Sequence, residues 1–274
     1  MHRSRPAIPS RGPRSVLDRL QPGLRGGDHL SGVAKPRSRL GGVYLVTSPK
    51  RPVSRLLAIV EASLEGGASI VQLRDKKIFT PEERIEAARG LRTLCNRYAV
   101  PFIVNDDPEL ARRFRADGVH GGREDPSPRI ARLVLGPRAI VGVTVYGKEG
   151  EEEAAAAAGA NYVAVGPFFP SPSKPDEPVL PLDVLDGVVK RSRLPVFAIG
   201  GITPANAGLL AEHGVAGVAV ISAIMDAADP RAATEAIRRA FSEGRPSEEP
   251  HARPHRKRAR EESSGEHFHQ QTVK

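Results

Sequence analysis

The chain has a single cysteine, Cys95, among 274 residues. An intrachain disulfide is excluded, and folding needs no oxidising compartment. Its setting, GLRTLCNRYAV, reads as a helix in which a small thiol serves packing rather than nucleophilic attack. No apolar run approaches the roughly 20 residues that cross a bilayer, so a soluble, cytoplasmic protein is expected. Net charge is also missing from the middle of the chain. Of the formal +9, residues 1–40 contribute +7 and residues 245–274 contribute +2, which leaves residues 41–244 near neutrality. Any anion site in that central part must be built locally.

The two ends are rich in Arg, Ser, Pro and Gly and poor in apolar periodicity, so they cannot bury enough surface to offset ordering entropy. A disordered basic extension (1–40) and a disordered charged tail (245–274) are expected to flank one catalytic domain (41–244). The acid-poor start resembles an organelle transit peptide, but a nonfunctional extension or an upstream start codon is the preferred reading. HRKRAR near the C-terminus could touch nucleic acid. Acidic pairs on both sides offset it, and no nucleic-acid partner is expected.

Within 41–244, short apolar β-branched runs alternate with amphipathic stretches. Strands are predicted at 43–47, 69–74, 102–105, 118–120, 139–144, 162–166, 196–200 and 217–221. Helices are predicted at 52–66, 81–98, 107–115, 127–135, 148–158, 181–191, 204–213 and 230–242. Thr80 as N-cap and Pro81 in the first turn mark the clearest helix. Nearly continuous apolar strands imply a sheet covered on both faces. Eight such units predict a single (β/α)8 TIM barrel, α/β in class, rather than an open doubly wound sheet.

Barrel chemistry belongs at the carboxyl ends of strands. The second strand ends in QLRDK, where alternation sends Gln72, Arg74 and Lys76 to one side and Leu73 and Asp75 to the other. An amide, a guanidinium and an ammonium converging there would clamp a phosphorylated substrate; a surface charge cluster is the alternative. The third strand ends at Asn105 and Asp106, and Asp125 follows the fourth. Two carboxylates with a nearby amide suit Mg2+, which takes oxygen ligands along with waters and phosphates, whereas Asp107 reads as a helix cap. His120 fits either a general base or a hydrogen-bonded structural group. Thr144 ends the fifth strand. The sixth runs into the proline-rich GPFFPSPSKPDEP (166–178), a stiff loop carrying Ser171, Ser173 and Lys174. Gly200 and Gly201 after the seventh strand let backbone amides approach a ligand. With Ser222 opening a short helix after the eighth, they form the usual phosphate site of such barrels.

In this order, YLVT, QLRDK, VNDDPELARRFRADGVHGGRED, VGVT, YVAVGPFFPSPSK, PVFAIGGIT and GVAVISAI resemble thiamine phosphate synthases over about residues 43–230. The resemblance implies a transferase that joins an aminopyrimidine methyl diphosphate to a thiazole ethyl phosphate, or its carboxylated form, and releases pyrophosphate. It implies that Gln72, Arg74, Lys76, Asn105, Thr144 and Lys174 hold the pyrimidine diphosphate and that Asp106 and Asp125 bind Mg2+ on it. Ser171, Ser173, Gly201, Ile221 and Ser222 would hold the thiazole phosphate. Arg74, Lys76, Lys174 and Thr144 are the candidate catalytic groups.

Three departures stand out. Gly121, Gly122 and Arg123 replace the family's usual Leu-Gly-Gln. Thr144 and Tyr146 stand where Ser and His are usual, and serines 171 and 173 replace two threonines. Thiazole tautomerases are a rival reading on the same barrel, but they lose much of the QLRDK and Asn-Asp set that this chain keeps. A nucleic-acid binder acting through basic tails is a rival of another class, opposed by the near-neutral centre. The sequence leaves a homo-oligomer open.

Overall fold

The computed structural model describes residues 40–122, 125–171 and 177–245. Of the two expected tails, only Leu40 and Arg245 fall within these. Strands and helices alternate as β1 (Gly42–Val46), α1 (Val53–Glu65), β2 (Ile70–Leu73), α2 (Pro81–Tyr98), β3 (Phe102–Asn105), α3 (Pro108–Arg113), β4 (Gly118–Gly121) and α4 (Pro128–Leu135). The order continues with β5 (Ile140–Val145), α5 (Glu151–Ala157), β6 (Tyr162–Val165), α6 (Leu182–Arg191), β7 (Val196–Ile199), α7 (Ala207–Glu212), β8 (Gly217–Val220), the one-turn α8 (Ser222–Met225) and α9 (Pro230–Glu243). Each strand pairs in parallel with the next, and β8 pairs with β1, closing the eight-stranded barrel.

Local chemistry sets the helix starts. Thr80 accepts from the Glu83 amide while the Glu83 carboxylate accepts from the Thr80 amide, a reciprocal capping box at the head of α2. Asp107, Ser127 and Asp229 each cap a helix that begins with proline. The helix predicted at 204–213 is shorter in the structure. Asn206 folds its side chain back to accept from the Thr203 amide, so α7 begins only at Ala207. The helix predicted at 148–158 likewise starts at Glu151, whose carboxylate accepts from the Tyr146 and Lys148 amides.

Two apolar layers hold the barrel. Between strands and helices, Leu45, Val71, Val104, Val163, Ala198 and Val218 pack against Leu56, Leu91, Leu94, Leu185, Leu210 and Ile237, all fully or nearly fully buried. Cys95 belongs to this layer, and burial pushes its thiol up to about 12. Inside the barrel, Tyr44, Ile70, Ile103, Ile140, Tyr162 and Phe197 form a plug. Its three aromatic rings meet edge to face at centroid distances of 5.3–5.9 Å. Side chains one step further along the strands are polar (Gln72, Asn105, His120, Thr144), small (Ala164, Ala219) or aliphatic (Val46, Ile199), and register places them around the carboxyl end. The plug closes one end and this ring leaves the other open.

Candidate active site

A cavity of about 430 Å³ opens at that end. Its walls include Gln72, Arg74, Lys76, Asn105, Asp106, Asp125, Thr144, Ser171, Gly201, Ile221 and Ser222. Every predicted site residue within the described region therefore reaches one cavity; Ser173 and Lys174, like Arg123, lie outside the described residues. Tyr146 lines the cavity too.

The cationic side is built on β2 and the turn after it. β2 ends at Leu73, earlier than its predicted end at residue 74, and Lys76 takes a left-handed conformation at φ 47°. Thr47 fixes the start of this turn by accepting from the Arg74 amide at 2.9 Å. Asp75 points away and pairs with Arg84 of α2 at 2.7 Å, which leaves Arg74 and Lys76 facing the cavity. Burial lowers the Arg74 guanidinium from its ordinary value, while the charges of Asp106 and Glu177 oppose the shift. Lys76 Nζ lies 2.8 Å from Asp106 Oδ2.

Asp106 also sits in the left-handed region, at φ 63°. Its amide donates to the His120 carbonyl at 2.8 Å, so the β3–β4 pairing continues one step into the loop and turns the carboxylate inward. Asp125 is drawn to the same place, accepting from the Gly122 amide at 2.7 Å. Burial and a hydrogen bond with Asp125 raise the Asp106 carboxyl despite the neighbouring Lys76. For Asp125, burial acts upward, but the bonds from Asp106 and the Gly122 amide outweigh it and hold the group below its ordinary value. The two neighbouring carboxyls are thus pushed in opposite directions, Asp106 upward and Asp125 downward. Among the described residues no group of three or more His, Cys, Asp or Glu side chains is placed to hold a metal ion. A cation here would thus take its remaining ligands from water or a substrate.

Opposite this side, the loop after β6 rests on the end of β7. A Cβ on Gly201, at φ 62°, would lie 2.5 Å from the Pro170 carbonyl and 2.6 Å from that of Phe169. One on Gly200 would lie 2.3 Å from Pro167 Cβ. The glycine pair, expected to bring amides close to a ligand, also seats the proline-rich loop that leads to Ser171.

Beneath the mouth, hydrogen bonds cross the barrel. Gln72 Nε2 donates to Tyr44 Oη at 2.6 Å, and Tyr44 Oη meets Tyr162 Oη at 2.8 Å. Tyr162 Oη lies 3.0 Å from His120 Nδ1, and His120 Nε2 lies 3.0 Å from Thr144 Oγ1. Burial, more than the Lys76 charge, lowers His120 to about 4, against the pull of Asp125. Of the two readings open for His120, the structure favours the hydrogen-bonded one. Tyr44 and Tyr162 were not among the predicted site residues. Their signal is an inward-facing tyrosine on a barrel strand, whose buried hydroxyl must find a partner.

Comparison with known proteins agrees with this geometry. A family model described as thiamine monophosphate synthase matches residues 43–224. The chain is 46% identical over 202 residues to the thiamine-phosphate synthase of Thiobacillus denitrificans, covering 74% of this chain and 95% of that one. It is 47% identical over 192 residues to that of an Azoarcus species, covering 70% and 93%. The solved thiamine phosphate pyrophosphorylase from Pyrococcus furiosus matches with a TM-score of 0.66 at 36% identity, covering 74% of this chain and 96% of that one. The closed parallel barrel, the ordered motifs and these likenesses agree: the chain belongs to the thiamine monophosphate synthase family.

Proposed function

We propose that this chain is a thiamine phosphate synthase, a transferase that breaks the carbon–oxygen bond of an aminopyrimidine methyl diphosphate. It forms a carbon–nitrogen bond to a thiazole ethyl phosphate and releases pyrophosphate. The observation that carries the reading is the convergence of Arg74, Lys76 and the Asp106–Asp125 pair on one mouth above a largely apolar floor. A planar ring fits the floor, which Tyr44, Val46, Ala164, Ile199 and Ala219 line together with Gln72. Diphosphate fits the cationic rim.

On this reading Gln72 meets the pyrimidine, while Arg74, Lys76, Asn105 and Thr144 hold the diphosphate, with Lys174 from the proline-rich loop. Charge gathers on the diphosphate as its bond to carbon breaks, and positively charged and hydroxyl donors already in place stabilise it there without reorganising. Asp106 and Asp125 would hold Mg2+. When bound, the ion supplies further neutralisation of that leaving group. Ser171 and Ser173, with the backbone of Gly201, Ile221 and Ser222, would hold the thiazole phosphate and present the ring nitrogen to the reacting carbon. A cationic pyrimidine needs shielding from water until the nitrogen captures it, and the segment after β6, whose Pro167 and Ser171 line the cavity, suits that task. The route calls for no protein nucleophile, in keeping with a buried Cys95. Among the described residues no helix is long and apolar enough to cross a membrane, and we place the reaction in the cytoplasm.

The test is pyrophosphate release by the full chain with both substrates and MgCl2. Release should require all three components. Its absence, with substrates and metal verified, overturns the assignment.

A further inference from the structure

We infer that the buried chain Gln72–Tyr44–Tyr162–His120–Thr144 couples recognition of the two ends of the pyrimidine diphosphate and so selects a 4-amino over a 4-oxo pyrimidine. The inference rests on the function proposed above. Its five members come from β2, β1, β6, β4 and β5, and the four contacts between them span 2.6 to 3.0 Å. Both ends line the cavity, whereas Tyr162 is fully buried and does not. The barrel makes room for the central link. A Cβ on Gly142 would lie 2.3 Å from Tyr162 Oη and 2.5 Å from His120 Nδ1. Any side chain there would push the two apart.

Each hydroxyl has one proton to donate, and so has a neutral imidazole. When each group between the two ends passes its proton along the chain, only two proton orders are possible. In the first, Gln72 donates to Tyr44, Tyr44 to Tyr162, Tyr162 to His120 Nδ1, and His120 Nε2–H to Thr144. The Thr144 hydroxyl proton and the Gln72 carbonyl are then both left for the cavity. In the second, every bond reverses: Thr144 donates inward, Tyr44 donates to a rotated Gln72 amide, and the amide N–H turns to the cavity.

The substrate chooses between the two orders. Diphosphate oxygens only accept, so Thr144 must donate to them, and the first order holds. That order presents the Gln72 carbonyl to the ring, where it accepts from an exocyclic amine. A 4-oxo ring presents an acceptor at the same place and calls for a rotated Gln72. Rotation reverses the chain and turns the Thr144 lone pairs toward the diphosphate. The wrong ring is thus penalised at both ends, and Tyr162 is a positioning residue that transmits the second penalty.

Tyr162→Phe keeps the ring that packs edge to face on Tyr44 and Phe197 but cuts the chain. The experiment compares the inhibition constant of the 4-oxo pyrimidine diphosphate with the KM of the 4-amino substrate, in wild type and variant. One mispaired buried hydrogen bond corresponds to about a tenfold change. The ratio should accordingly fall about tenfold in Tyr162→Phe, because Gln72 can then rotate without reversing Thr144. General loosening of the site would weaken both compounds together and leave the ratio unmoved. If Tyr162→Phe does not fold, Tyr44→Phe cuts the same chain one bond earlier and carries the test. An unchanged ratio beside normal wild-type turnover overturns the coupling alone. A wild type that does not turn over the 4-amino substrate overturns the proposed function, and the coupling with it.

Discussion

Gly201→Ala separates the two halves of the site. The new methyl would lie 2.5 and 2.6 Å from the Pro170 and Phe169 carbonyls. Real contacts begin near 3.0 Å, so these backbone oxygens must retreat by about half an ångström. The φ of 62° adds a left-handed cost of about 1–2 kcal/mol for a residue with a Cβ. The displaced segment leads directly to Ser171, and a misplacement of about 1 Å can cost about 100-fold in rate. We expect kcat/KM for the thiazole phosphate to fall roughly 10- to 100-fold. KM for the pyrimidine diphosphate should change less, because Gln72, Arg74, Lys76 and Asn105 stand on or just beyond β2 and β3, across the barrel, and only Lys174 of its proposed partners belongs to the displaced loop. Gly136→Ala is the control, with a φ of 85° and nothing within 4 Å of the added Cβ. It carries backbone strain without displacement. Steady-state kinetics on both substrates, with thermal melts, reads the comparison. An unchanged kcat/KM for the thiazole phosphate in Gly201→Ala, alongside melting shifts matching Gly136→Ala, would refute the seating role of Gly201.

Other outcomes follow from the same geometry. Asp125→Asn should raise the Mg2+ concentration giving half-maximal activity by about tenfold or more, read from a metal titration. Cys95, with its thiol pushed up to about 12, should resist a thiol reagent at pH 8 until denaturant is added, and Cys95→Ala should leave turnover nearly unchanged. His120 is held at about 4 when folded against 6.5 ordinarily, so between these values the unfolded chain binds more protons and stability falls as pH drops. In metal-free buffer this contribution should be about 2 kcal/mol smaller at pH 5 than at pH 7.5. Urea melts at the two pH values should show that difference, and His120→Asn should remove it.

The fold was legible because a doubly covered parallel sheet leaves a coarse signal: β-branched runs between helices with caps such as Thr80 and Asp107. Most of the mouth was legible for a related reason. Polar residues at strand ends, such as Gln72 and Thr144, have no packing duty that explains them. Backbone detail was less accessible. Nothing in QLRDK or VNDD announces that Lys76 and Asp106 adopt positive φ; at Asp106 a tertiary hydrogen bond to the His120 carbonyl accompanies it, and at Lys76 a tight turn in which the Lys77 and Ile78 amides donate to Asp75. Tyr44 and Tyr162 escaped notice because an aromatic residue in an apolar strand looks like any core residue. Only the closed barrel, which brings β1, β4 and β6 within reach across its interior, shows that their hydroxyls join His120. Gly200 and Gly201 read as a ligand-facing turn, whereas the atoms closest to their missing side chains belong to the neighbouring loop.

The most direct measurement quantifies products by mass spectrometry and pyrophosphate assay after the full chain meets both substrates with Mg2+. The account predicts thiamine phosphate and pyrophosphate in equal amounts, with neither formed when one substrate is withheld. Pyrophosphate released from the pyrimidine substrate alone, or no condensed product from the complete mixture, would contradict it.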